Sequence, residues 1–236
     1  MKLMCMIGKH KWHEKKCSVC GKELSKEEIE AISQKMIKFA GAGSFGGVAQ
    51  MLEAGADINS KDKDNYTALM LASGGNSLTL VNFLLDKGAD VNAISEKGSA
   101  LMMAANLGHI KIMKLLIYKG ADVNAKDDKD TTALMCVSRD GYADIAELLI
   151  DKGADVNAKD GQLGLTALML AVISDHYEVV KLFIYKGADL KIKDKKGLTA
   201  LTHATLSNKG FGVSSLLRDA VRAAGWAIAN ARGDIR

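Results

Sequence analysis

The sequence predicts an all-α solenoid of stacked helix-turn-helix units, preceded by a short separate segment rich in Cys, His and Lys. Three observations carry that prediction. The string Gly-Ala-Asp recurs at Gly55, Gly88, Gly120, Gly153 and Gly187. A second string, Thr-Ala-Leu or Ser-Ala-Leu, starts at Thr67, Ser99, Thr132, Thr166 and Thr199. From each of the first four of these to the following Gly-Ala-Asp is 21 residues, whereas the way back varies from 11 to 13. Self-similarity at such a period marks a repeat architecture in which each unit buries its apolar face against the next.

The part of constant length reads as two short helices. Its second half carries apolar residues at helical spacing: Leu80, Phe83 and Leu84, then Ile112, Leu115 and Leu116, then Ile145, Leu148 and Leu149, then Val179, Leu182 and Phe183. That spacing gives each helix one apolar face. The Gly that follows suits the left-handed position that closes a helix. The Thr or Ser that opens the first half suits an N-cap, because its hydroxyl accepts an unpaired backbone N–H. The part of variable length is polar, as in Asn59-Ser60-Lys61-Asp62-Lys63-Asp64-Asn65, and its Asp and Asn residues favour turns. Proline is absent, which removes a common helix-start residue but not a required one.

These residues resemble the ankyrin repeat. Thr166-Ala167-Leu168-Met169-Leu170-Ala171 through Gly187-Ala188-Asp189 follows that family's pattern, and the fullest copy runs from Asp127 to Lys159. Ala stands where the family has Pro, and Met70, Met102, Met135 and Met169 stand where it has His. The resemblance implies an ankyrin-repeat solenoid with β-turn fingers over residues 25–236. Residues 25–61 read as a degenerate first repeat, and Ser25 with Glu28 forms a capping-box pattern at its start. Repeats follow at 62–94, 95–126, 127–159 and 160–193, and residues 194–236 read as a terminal capping repeat. The Lys-rich helices and the Thr-Ala-Leu-Met form point to a bacterial or phage-derived source.

Residues 1–24 read as a different object. They hold six Lys and two Glu, the whole of the formal net charge of +4. Cys17-Ser18-Val19-Cys20-Gly21-Lys22 has the spacing of a zinc knuckle, and Cys5 with His10 completes a tetrahedral set of three sulfurs and one nitrogen. His13 is the alternative fourth ligand. The segment resembles the short zinc ribbons at the start of some bacterial and phage proteins. So short a segment buries too little apolar surface to fold alone, and a structural Zn²⁺ supplies on the order of 10 kcal/mol. Four protein ligands leave no open position, so the expected metal is structural.

Other matches are set aside. Gly41-Ala42-Gly43-Ser44-Phe45-Gly46 fits the dinucleotide pattern, but it follows a predicted helix at 26–40 rather than a strand. Arg232-Gly233-Asp234 is a chance tripeptide. His109, His176 and His203 are scattered, and no nucleophile is fixed near them by the repeat spacing. Cys136 reads as a plain buried thiol. No apolar run reaches the roughly 18 residues of a membrane helix, and the N-terminus is too short for a secretory core. The expected location is the cytoplasm.

The resemblance implies that fingers and first helices form one concave binding surface. All length changes between repeats fall in the fingers, which are often the binding face. The contact candidates are Tyr66, Glu96, Lys129, Gln162, Leu163, Leu165, Lys195 and Leu198 on the fingers, with Leu71, Met103, Leu170 and His203 on the first helices. The expected function is a scaffold or adaptor for a partner protein, not an enzyme, with no membrane and no small-molecule substrate. The alternative is a nucleic-acid-associated regulator that uses the basic N-terminal segment.

Overall fold

A computed structural model describes residues 12–13, 16–17, 23–207 and 211–231 of the chain. Of the metal candidates, Cys5, His10 and Cys20 lie outside the described residues, and Cys17 and His13 are described in backbone only. The chain forms two compact units, residues 1–122 and 123–236.

The first unit opens with a small antiparallel pair, β1 (Trp12–His13) and β2 (Lys16–Cys17), in which Trp12 faces Cys17. Three helix pairs follow: α1 (Lys26–Gly41) with α2 (Phe45–Glu53), α3 (Ala68–Gly74) with α4 (Leu78–Asp86), and α5 (Ala100–Asn106) with α6 (Ile110–Tyr118). Just before α5, β3 (Ile94–Ser95) pairs with β4 (Gly98–Ser99) in a short hairpin. The first helices pack in the order α1, α3, α5, and α4 packs on α6. The second unit repeats the plan with α7 (Ala133–Asp140) and α8 (Ala143–Asp151), α9 (Ala167–Ile173) and α10 (Tyr177–Tyr185), and α11 (Ala200–Leu206) and α12 (Phe211–Ala231). Here α7, α9 and α11 pack in order, as do α8, α10 and α12. The last helix has 21 residues where the other second helices have 9.

The ends of these helices are set by the expected residues. Thr67, Ser99, Thr132, Thr166 and Thr199 each accept a backbone N–H three residues on. Ser25 and Glu28 form the complete capping box of α1, and Ser44 caps α2. After α4, Gly88 turns left-handed at φ 89°, and the N–H groups of Gly88 and Ala89 close on the carbonyls of Leu85 and Leu84. Met70, Met102, Met135 and Met169 are wholly buried. Met70 Sδ also lies 3.5 Å from the Thr67 N–H, a weak acceptor placed at the helix start.

Cys136 is 3% exposed, and burial pushes its thiol up to about 11. A thiol held neutral is a poor nucleophile. In a chain whose other three Cys are Ser, Cys136 is expected to resist an aromatic disulfide reagent under native conditions and to react once guanidinium unfolds the protein. Rapid native labelling would contradict its burial.

Two further devices order consecutive pairs. The first is a ladder of Asn side chains four residues after each closing Gly. In the first unit, Asn59 Oδ1 accepts the Asp90 N–H and Asn92 Oδ1 the Asp122 N–H, each at 2.8 Å, while Asn92 Nδ2 donates to the Gly120 carbonyl. In the second unit, Asn124 takes the Asp155 N–H at 2.8 Å and donates to Gly153 O at 3.0 Å, and Asn157 takes the Asp189 N–H at 2.9 Å. At the start of the ladder the Asp57 N–H has no earlier Asn to meet, and it donates instead to Ser33 Oγ of α1 at 2.9 Å. At its end the Asn position is Lys191, and no Gly-Ala-Asp follows to need one. The second device is the His between helices. His109 Nε2 meets Gly74 O at 3.2 Å in the first unit, and His176 Nε2 meets Arg139 O at 2.9 Å in the second.

Candidate partner-binding site

Each finger is built on one side chain. Asp62 Oδ1 accepts the N–H groups of Asp64 and Tyr66, and Asp127 Oδ1 those of Lys129 and Thr131. Asp160 Oδ1 accepts those of Leu163 and Gly164, and Asp194 Oδ1 those of Lys196 and Leu198. An Asp carboxylate bonding two backbone donors ahead of it folds the loop back on itself. In the β3–β4 finger Ser95 does this work, with its hydroxyl on Gly98 O and Lys97 N.

The fingers are joined differently in the two units. In the first unit the links are side chains: Lys61 Nζ donates to Ile94 O at 2.8 Å, and Lys97 Nζ sits 5.6 Å above the Tyr66 ring. In the second unit they are also backbone bonds. Gly161 N donates to Lys129 O at 2.8 Å and Lys195 N to Leu163 O at 2.9 Å. Lys159 Nζ reaches Lys193 O at 2.7 Å, and Lys195 Nζ reaches Gly161 O. Gly161 is required by this approach, since a Cβ there would lie 2.6 Å from Asp130 Oδ2 and 3.1 Å from Lys129 O.

The first helices add one opening each. In α3, α5 and α9 five residues of the first six are buried, and the exception is the residue after the Met: Leu71, Met103 and Leu170 are half-buried. His203 of α11 holds the same position and is half-buried, whereas in α7 the position is closed by Cys136. Among the finger candidates, Glu96, Lys129, Gln162, Leu163 and Lys195 are exposed, and Tyr66 and Leu198 are half-buried. Leu163 is 51% exposed, an open aliphatic side chain at a finger tip. Leu165 is 7% exposed and lies inside, before the capping Thr166, so it offers a partner almost no surface.

The pattern in the sequence did not point to one pairing within this face. His203 Nε2 lies 2.8 Å from Asp194 Oδ2, with the Asp194 side chain only 3% exposed. Burial works to raise the Asp194 pKa, but the Leu198 N–H, His203 and the Lys196 N–H outweigh it, and the net direction is below the ordinary carboxylate value. A carboxyl held low in the folded chain adds stability that is complete above the ordinary range, about pH 4, and is lost as the pH falls through the lowered value. The midpoint of thermal unfolding is expected to drop in acid, and to drop less in Asp194→Asn. Equal pH profiles for the two proteins would remove Asp194 from the account. The Asp repeated at 62, 127, 160 and 194 was the available signal, but nothing in the sequence distinguishes a buried Asp from a solvated one.

Repeated helix pairs, capped loops that project between them and, within each unit, a ladder linking consecutive pairs define a class of tandem-repeat protein. A family model described as ankyrin repeats, three copies, matches residues 36–127, 101–194 and 134–224. The chain belongs to the ankyrin-repeat family. Over 68 residues it is 40% identical to a Caenorhabditis elegans protein described as "Ankyrin repeat and KH domain-containing protein mask-1". The match takes in 29% of this chain and 3% of that protein. Ankyrin repeats are in general protein–protein interaction modules. No helix among the described residues is long and apolar enough to cross a membrane. Among the described residues no group of three or more His, Cys, Asp or Glu is placed to hold a metal.

Proposed function

We propose that the protein is a cytoplasmic scaffold that holds a partner protein against the fingers and the half-open first-helix positions of each unit, without turning over a substrate. The observation that carries this reading is the division of labour between the parts. The helix pairs from α3 to α10 keep a constant spacing, and α3, α5, α7 and α9 bury most of their side chains, while the length changes between repeats fall on the largely exposed fingers. A surface that is free to vary on an invariant support is what recognition requires.

The test is capture followed by reconstitution. A partner isolated with the intact chain is purified and titrated calorimetrically against three proteins. These are the intact chain, a finger variant (Tyr66→Ala, Glu96→Ala, Lys129→Ala, Leu163→Ala), and a second-helix variant (Tyr118→Ala, Tyr185→Ala). Tyr118 and Tyr185 are 84% and 83% exposed on α6 and α10, and they serve as the opposing control. The finger variant is expected to lose binding and the second-helix variant to keep it. The reverse result would move the binding face to the second helices.

We further propose that Cys5, His10, Cys17 and Cys20 hold one structural Zn²⁺. The spacing of Cys17 with Cys20 and of Cys5 with His10, and the donor chemistry, support it. Metal analysis of the purified chain is expected to give one zinc per molecule, lost in Cys17→Ser with Cys20→Ser. A metal-free intact chain would end this reading.

A further inference from the structure

We propose that the finger at residues 190–198, with the neighbouring finger tip bearing Leu163, is a cationic docking surface for an acidic, Leu-bearing segment of the partner protein. This deepens the scaffold reading above and rests on it. The finger carries Lys191, Lys193, Lys195 and Lys196 within six residues, all of them exposed. Its one carboxylate, Asp194, is turned inward and committed to Lys196 N, Leu198 N and His203 Nε2. The usual fate of a Lys-Asp-Lys-Lys run is mutual neutralisation at the surface. Here the negative charge is withdrawn beneath the loop and the positive charges stay outside.

Of the neighbouring carboxylates, the exposed Asp130 beside Gly161 pairs with Lys126 at 3.6 Å, and two others are held by backbone donors. Asp160 is half-buried and its Oδ1 accepts Leu163 N and Gly164 N. Asp189, at the base of the finger, accepts the Lys191 N–H. Lys159 adds a fifth exposed ammonium beside the finger, on the Lys193 carbonyl. The two tips are held together by the bond from Lys195 N to Leu163 O, so the open Leu163 side chain is presented beside the lysines. An apolar anchor rimmed by one sign of charge fits a segment of opposite charge that brings its own apolar residue. Asp and Glu side chains would meet the rim, and an aliphatic side chain would cover Leu163.

The test uses the full chain and a fluorescent Asp/Glu-rich peptide with one Leu, followed by anisotropy at low and at physiological salt. The peptide is expected to bind, more weakly as salt rises. Affinity is expected to fall by about tenfold or more in a quartet of Lys→Gln changes at 191, 193, 195 and 196. It should persist in the matching Lys→Arg quartet, and in a control quartet of Lys→Gln at 111, 114, 152 and 181. Circular dichroism checks that each protein is folded. Loss in both Gln quartets alike would reduce the effect to net charge and overturn the proposal, as would no binding at low salt. Tighter binding of a single-stranded oligonucleotide, lost at the same four lysines, would overturn it in favour of a nucleic-acid surface. A purified partner that still binds the 191–196 Gln quartet at full affinity would overturn this docking surface and leave the scaffold reading standing.

Discussion

Phe183→Ala is expected to destabilise the second unit by about 3–5 kcal/mol in equilibrium guanidinium unfolding. Phe183 is fully buried in α10, at the position that Leu84, Leu116 and Leu149 hold in the other second helices, and those too are fully buried. Truncation removes the largest of these side chains from α10, which packs on α8, α9 and α12, and the cavity term adds to the lost transfer free energy. Because α12 packs on α10, loss of this ring should also loosen the final helix, visible as earlier amide exchange in residues 212–224. A cost below about 1 kcal/mol would mean that the pocket collapses without penalty, contrary to close packing of these helices.

Asn124→Ala comes next. It removes an acceptor for Asp155 N–H and a donor to Gly153 O, two bonds that tie one helix pair to the following one. At about 0.5–1.5 kcal/mol each, the expected loss is about 1–3 kcal/mol in the same unfolding measurement. Lys191→Asn supplies the matching control. It installs the ladder residue where no Gly-Ala-Asp follows, and a change within about 0.5 kcal/mol is expected. If Asn124→Ala were neutral, or if Lys191→Asn stabilised the protein by more than that, the ladder would not be what couples successive pairs.

Most of the helical scaffold was legible in the letters themselves. Thr67 and its counterparts announce a helix start because only a side-chain oxygen meets the free N–H groups there, and Gly88 and its counterparts announce an end because only Gly enters the left-handed region cheaply. The Asn at 59, 92, 124 and 157 was equally regular, but its partners lie about thirty residues away, and a period alone does not say what an Asn bonds. The finger-to-finger bonds of the second unit were beyond reach for a stricter reason. They run from Gly161 N and Lys195 N to backbone carbonyls, and those groups are common to nearly every residue. Leu165 shows the opposite error. An apolar residue in a polar loop reads as an exposed anchor, yet its place just before the N-cap turns it inward. Leu163, two residues earlier, has the same chemistry and is the one left open.

The joined fingers of the second unit bear on the entropy and the rate of association. A free loop loses conformational entropy when a partner covers it, roughly 1–2 kcal/mol for each residue fixed. In the fingers around Lys129, Leu163 and Lys195 much of that loss has already been met during folding, by bonds between the loops themselves. An encounter there needs little rearrangement before it becomes productive, so more of the contact energy is left to appear as affinity. In the first unit, where Lys61 and the Lys97–Tyr66 contact are the links, more of that loss is left to be met on association.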